Sequence, residues 1–407
     1  MRVQRAAASI AFLLTAASAF ADEATIVSST NASATARDLS LAVQSGELVV
    51  RYTDSAGEAK SVKAADVIEI SFRSGRTPAP AKVAPEDVKI ILTTGDILMG
   101  KVGAKPEDGL QVLSKAFGDP VVKFGQIRAI LFPANEAFLP KRLPEKELTD
   151  VILTKTGDRA EGILRSVSPA GVVYRSNRLE TDVTQPLAQV AGIWLAEEVA
   201  PPKEPAALFA TVFTTDRSSV RGVIESLNQG VLAFKDLYGT THRVPANLVA
   251  GIYVKNGRVV YLSDLTPATV DEDANFIRGA KRSSSDLEYP YQRDQNARGS
   301  KILLSGAEHR KGLGVRAHSA LTYSLGGGYR RFQATLGLDD ISLGLGAVIG
   351  EVWVDGKKVK ELSLKGKDAP QPIDLDVSNA KELKLVVTWA GHGQSDFAGW
   401  GSARLVR

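Results

Sequence analysis

Apolar and polar residues alternate in short runs along most of the chain. VKIILTTGDILMGKV (88–102), TDVILTKTGDRAEGIL (149–164) and FATVFTTDRSSVRGVI (209–224) each read as an alternating strand, a polar turn and a second strand. A period of two puts successive side chains on opposite faces of a sheet, so each run has one face to bury. The second strands carry Gly100, Gly162 or Gly222, and each segment turns again at Gly109, Gly171 or Gly230. Each then closes with QIRAILF (126–132), QVAGIWL (189–195) or LVAGIYV (248–254). DVIEISF (66–72) closes an earlier segment after Gly46 and ELVVRYT, although the opening strand there is degenerate. Ile70, Ile130, Ile193 and Ile252 hold equivalent places at a period of about 60 residues.

Three Pro- and charge-rich stretches, TPAPAKVAPED (77–87), PANEAFLPKRLPEKE (133–147) and APPKEPA (200–206), separate the segments. Such composition favours extended backbone and reads as linker. The expected organisation is therefore four β repeats, at 22–76, 87–133, 148–199 and 207–260, each a small SH3- or Sm-like barrel. Gly95 to Val102 nearly matches a phosphate-binding loop, but Val102 replaces the hydroxyl residue that would hold magnesium. Within the chain's own repeats Gly100 recurs while Lys101 becomes Ile163 and Val223. Gly100 is thus expected to mark a bend in a sheet.

From Tyr261 onward the Pro-rich breaks stop, and three of the four Trp occur here, as Trp353, Trp389 and Trp400. Strands separated by frequent turns, with DGKK (355–358) as a hairpin, imply a β-sandwich or jelly roll over 261–407. In HRKGLGVRAHSALTYSLGGGY (309–329), Gly312 and Gly314 lie within a strand pattern and Gly326 to Gly328 between two strands. No helix pattern follows either group to receive a phosphate, so these glycines are expected to shape strands.

DQN (294–296), KGLGVRAHSALTYSLGGGYRRFQATLGLDD (311–340), VWVDGK (352–357) and SDFAGWGSARL (395–405) together resemble the NPCBM domain family. The resemblance implies a galactose-binding-like β-sandwich that binds carbohydrate. It covers only the C-terminal region. The family pattern often has His where this chain has Arg316, with His318 two residues on, and tends to have acidic residues at Gly399 and Gly401.

The N-terminus changes the picture of location. Arg2 and Arg5 precede an apolar stretch, Ala6 to Ala17, and Ala19-Phe20-Ala21 offers small residues for cleavage. Residues 1–21 read as a signal peptide, so the protein is expected to be exported to the periplasm or outside the cell. No later run is long and apolar enough for a membrane helix, so no membrane insertion is expected. The 50 Lys and Arg against 46 Asp and Glu give +4 without a basic block, which argues against nucleic acid. With no Cys there are no disulfides, thiolate metal sites or cysteine nucleophiles.

Sugars present apolar faces beside hydroxyls, so their sites combine aromatic platforms with polar acceptors. Trp389, His392, Gln394, Asp396 and Trp400 supply those types within one loop and strand. Asp294, Asn296, Arg316 and His318 join them as ligand-binding candidates, while Trp400 and Phe397 also suit core anchors. Adjacent Asp339 and Asp340 suit a turn, a calcium site or, less readily, catalysis, because neighbours on a strand face opposite ways. The four His show no zinc spacing and no catalytic set is evident, so no cofactor and no enzymatic activity are expected. The sequence thus suggests an exported, non-catalytic protein whose C-terminal module binds glycan and whose repeats serve as spacer or adhesion units. The alternative is a scaffold that binds other envelope proteins and no sugar.

Overall fold

The computed structural model describes residues 23–407 except 31, 73–83, 85, 105, 107, 140–146, 197–198, 273–288 and 391–394. The proposed signal peptide, most of the 77–87 linker, His392 and Gln394 therefore lie outside the described residues. Among those described, regular structure consists of β-strands and short 3-10 helices, so the chain is all-β. The described residues form two compact units, divided between Lys255 and Asn256. The boundary precedes the expected one because Val259–Tyr261 pairs with Phe397–Val406 of the second unit.

In the first unit each of the four segments expected as repeats starts with an opening strand, at Ala24–Ser28, Asp87–Leu92, Asp150–Thr154 or Phe209–Thr214. The first of these, ATIVS, is degenerate in pattern and still forms a strand that pairs on both edges. Each repeat ends with a single-turn 3-10 helix and a closing strand, Val67–Phe72, Ile127–Leu131, Val190–Trp194 or Val249–Lys255. The closing strand returns antiparallel to the opening strand of its own repeat. Between them, Gly162 and Gly222 lie under the carbonyls of Arg175 and Lys235, where any Cβ would collide with backbone. Gly100 stands against Leu113 in the same way, on a strand rather than in a phosphate loop.

The repeats are not separate beads. The other edge of each closing strand pairs with a closing strand elsewhere, repeat two with three and repeat one with four. Ile130 stands opposite Ile193, and Ile70 opposite Ile252, all essentially buried in one core that runs through all four repeats. An apolar strand whose two edges are both occupied by like strands cannot stand alone in solvent, which is why the linkers do not isolate the repeats. Repeat four also reaches repeat two. Asp96, 4% exposed, accepts from Arg221 Nε at 2.7 Å, and Tyr238 meets the Thr93 hydroxyl at 2.6 Å. Phe117 abuts the His242 ring edge-on with centroids 5.3 Å apart. The expected linker at 133–147 begins instead with a 3-10 helix, Pro133–Phe138, whose buried Asn135 donates to the Val190 carbonyl at 2.7 Å.

The second unit is a β-sandwich. One sheet orders Gln292–Arg293, Gly312–Arg316, Phe397–Val406, Arg331–Leu338 and Gln371–Asp376, with Val259–Tyr261 also pairing Phe397–Val406. The other orders Thr269–Glu272, Ser319–Ser324, Glu382–Trp389, Ala347–Val354 and Lys357–Lys365. Alternate residues from both sheets meet in a core that includes Leu313, Val315, Phe332, Leu336 and Leu385. A separate hairpin, Ile302–Leu304 with Ala307–His309, lies on Phe397–Val406 where Gly399 and Gly401 leave room. A Cβ at Gly401 would stand 2.6 Å from the His309 ring.

Candidate functional site

At one end of the sandwich the chain crosses between its sheets twice. Arg316 ends one strand, and Ala317 and His318 lead to Ser319–Ser324 in the other sheet. Trp389 ends a strand of that second sheet, and the chain returns through Asp396 to Phe397–Val406. Strand ends joined by crossing loops gather unlike side chains, so this is where a site can be built.

Asp396 ties the crossings together. Its Oδ1 accepts the Ala347 N–H at 2.8 Å, and its own carbonyl accepts the Ala317 N–H at 3.0 Å. It is 3% exposed, and burial raises its carboxyl above the usual range while the Ala347 bond and the Arg316 charge oppose the rise. Its geometry is that of a support beneath the edge, and one carboxylate oxygen is already engaged.

The two tryptophans separate completely. Trp389 is 44% exposed, with the His318 ring edge-on at 6.5 Å, and forms an open aromatic face. Trp400 is 1% exposed and packs in the sandwich core, so it is a core anchor and not a ligand platform. Phe397 is buried as well, yet it underlies the surface. Tyr289 meets it edge-on at 5.4 Å, with Arg298 Cζ 4.7 Å from its centroid and Arg316 Cζ 5.8 Å from it. Both guanidiniums also lie near the Tyr289 ring, at 5.8 and 5.6 Å. Tyr289 and Arg298 escaped the sequence reading because no local spacing links them to Phe397, about a hundred residues away.

Asp294 and Asn296 prove to shape the neighbouring loop. Asn296 is buried, and its Oδ1 accepts the N–H groups of Arg298 and Ser300, both at 3.0 Å. Its Nδ2 donates to the Lys301 carbonyl at 2.9 Å and to Asp339 Oδ1 at 3.3 Å. A side chain so fully engaged has no capacity left for a ligand. Asp294 accepts the Gly312 N–H at 3.1 Å and pairs with Lys311, which also holds Asp264.

Asp339 and Asp340 are equally local. Asp339 caps the turn at Asp340–Ser342 by accepting the Ile341 N–H, and also accepts the Leu303 N–H, while burial raises its carboxyl. Asp340 accepts the Gly306 N–H at 2.9 Å. Their oxygens serve different partners and do not converge as a calcium site requires. Among the described residues no group of three His or acidic side chains could hold a metal. No helix among them is long and apolar enough to cross a membrane.

These features define a β-sandwich with an aromatic and cationic loop edge. Residues 258–406 match the NPCBM/NEW2 domain family, and that match supports carbohydrate binding by this module. A curated relative, "Putative endo-alpha-N-acetylgalactosaminidase" of Renibacterium salmoninarum, is 30% identical over 111 residues. That similarity covers 26% of this chain and 7% of the relative's length. Among solved structures, the CBM51 from Clostridium perfringens GH95 in complex with methyl-galactose is 26% identical. It covers 36% of this chain and 99% of that one, with a TM-score of 0.32. The tandem CBM51 modules of a family 98 glycoside hydrolase from Streptococcus pneumoniae are 16% identical, covering 83% and 91% of the two chains, with a TM-score of 0.30.

Proposed function

We propose that this is an exported, non-catalytic protein whose C-terminal sandwich binds a glycan at the edge formed by Trp389, His318 and Arg316. The observation that carries the reading is Trp389, a large aromatic left half-open beside His318 on a module of the NPCBM/NEW2 family. An exposed indole can receive the apolar face of a sugar ring while nearby polar groups meet its hydroxyls. No reaction is assigned to the edge, because its carboxylate, Asp396, is a buried support and no nucleophile and base pair stands there among the described residues. Each N-terminal repeat is read as a small SH3- or Sm-like barrel, supported by the return of its closing strand to its opening strand. Together they form a spacer or adhesion body.

Glycan-array binding of the full chain tests this reading. Specific sugar binding that Trp389→Ala abolishes is expected. Binding that survives Trp389→Ala removes the site, and absence of binding across the array removes the function. The second reading, an envelope scaffold that docks proteins and no sugar, is favoured by the hairpin seated over Gly399 and Gly401, which covers part of that sheet's outer face.

A further inference from the structure

Repeats one and four are joined at two places. Their closing strands pair at Ile70 and Ile252, and Ser33–Gln44 meets Ser219–Asn228 with Leu41 opposite Leu227 and Ala42 opposite Ser226. A cavity of about 240 Å³ reaches both joints, since Leu41, Ile70 and Ile252 all line it. Repeat one forms one wall and repeat four the other. The gap has a cause in the residues around it. Ala64 and Ala210 are buried in the walls with side chains that end at Cβ, and a Cβ at Gly46 would meet nothing within 4 Å. Side chains this short do not reach from one repeat to the other.

Protein interiors are packed as densely as organic crystals, with few voids larger than a water molecule. Water is a poor filling for this one. Every lining side chain is aliphatic or aromatic apart from glycine, whereas a buried water needs about two to four polar partners. An apolar cavity of about 150 Å³ stays dry and takes up benzene. The cavity between the repeats is larger than that and equally apolar.

Its lining is graded from floor to mouth. Val50, Ile70 and Ile252 are essentially buried at the floor, whereas Val43 and Val223 are 58% and 41% exposed. One end is dry and the other meets solvent. A ligand with an apolar body and one polar end fits that gradient, with the body inside and the polar end in water. At about 30 Å³ per group, the share of one water in the liquid and close to that of a methylene, the volume corresponds to about eight carbons.

We propose that the cavity between repeats one and four binds an aliphatic chain of about eight carbons, whose polar end stays at the mouth beside Val43 and Val223. The site lies wholly within the first unit and does not depend on the carbohydrate reading of the second. It gives the repeats a binding role of their own.

Titration calorimetry of the full chain with 1-butanol, 1-hexanol, 1-octanol and 1-decanol tests it. Each added methylene should tighten saturable binding about fourfold up to about eight carbons, and 1-decanol should gain little over 1-octanol. The first unit's melting temperature should rise with 1-octanol, because the ligand binds only the folded state. Val223→Trp and Ala207→Trp, both exposed changes at the mouth, should each abolish binding while the melt without ligand stays as in the parent. Comparable binding of octanoyl lysophosphatidylcholine identifies a lipid tail as the source, and weaker binding a free alkyl compound, each in support of the site. Binding that both variants leave intact overturns the proposal, as does failure of every alcohol to bind. Tighter binding of toluene than of 1-octanol overturns it too, since the cavity would then be a site for compact rings.

Discussion

The two units use the same material, short antiparallel strands with glycine at the crowded points, and protect their edges in different ways. In the first unit, quasi-equivalent strands from different repeats pair with each other, Ile130 against Ile193 and Ile70 against Ile252. In the second, two sheets face each other, and the outer face of Phe397–Val406 is covered by a hairpin. Pairing repeat to repeat spends strand edges on neighbours and makes one body. Stacking sheets leaves loops at the sandwich ends to carry Arg298 and Arg316 about the Tyr289 and Phe397 rings, and Trp389 beside His318. A repeat that must match its neighbour is constrained along its closing strand, whereas a sandwich edge can vary without disturbing the core.

The comparison can be broken most directly at Ile193. Ile193→Ala in the full chain should cost about 2–5 kcal/mol, because it empties a site shared by two repeats. Differential scanning calorimetry should show the first unit's transition lowered and the second unit's unchanged. Equal lowering of both would mean that the units do not unfold separately.

Asp96→Ala should follow, at about 2–3 kcal/mol, since it leaves Arg221 partly buried with Glu204 as its remaining carboxylate partner among the described residues. Chemical denaturation monitored by proteolysis should place the loss in the first unit. An unchanged midpoint would show that repeats two and four are held together by their strands alone.

A smaller pair of changes compares the glycines. Gly222→Ala meets the Lys235 carbonyl, which cannot move without the strand, and should cost about 1–3 kcal/mol. Gly401→Ala meets the His309 ring, which can swing aside, and should cost less. The reverse order would mean that the hairpin is the more rigid of the two contacts.

The smallest effect concerns pH. Burial raises the carboxyls of Glu272, Asp339 and Asp396, all in the second unit. Each binds its proton more readily when folded, so its contribution to stability is full below the unfolded pKa and is lost as pH rises through the folded value. Acidification from neutrality should therefore strengthen these three contributions to the second unit, against the opposite pull of Glu308, Glu351 and Asp376, whose carboxyls are held low by their hydrogen bonds and ion pairs. Asp396→Asn keeps an acceptor for Ala347 and should flatten this dependence, as read from melting temperatures across the pH range.

Much of the first unit was legible locally. Recurring apolar runs located the closing strands, although Val190–Trp194 is buried at every position and does not alternate, and the recurrence of Gly100 as Gly162 and Gly222 marked strand positions crowded by a neighbouring carbonyl. The pairing of those strands was not legible, because any apolar strand can pair with several others and the choice depends on the assembled body. In the second unit the resemblance located the module, but the roles of the two Trp were hidden. Residues 397–401 are all buried, so alternation gives no clue that Trp400 faces the core while Trp389 opens to solvent. Tyr289 and Arg298 lay further out of reach, since their partners come from distant strands.

The nested order of the repeats has a consequence for how the chain acquires its structure. Repeat two meets repeat three soon after it in sequence, whereas the Ile70 strand must wait for Ile252, about 180 residues later. As the chain emerges N-terminus first, the inner pair can close early while the first repeat holds an unoccupied apolar edge until the fourth appears. Such a non-local closure is slow and exposes a strand to wrong partners. The strand that waits longest for its partner during synthesis is therefore Val67–Phe72, which closes the first segment but gains its second neighbour only when Val249–Lys255 is made.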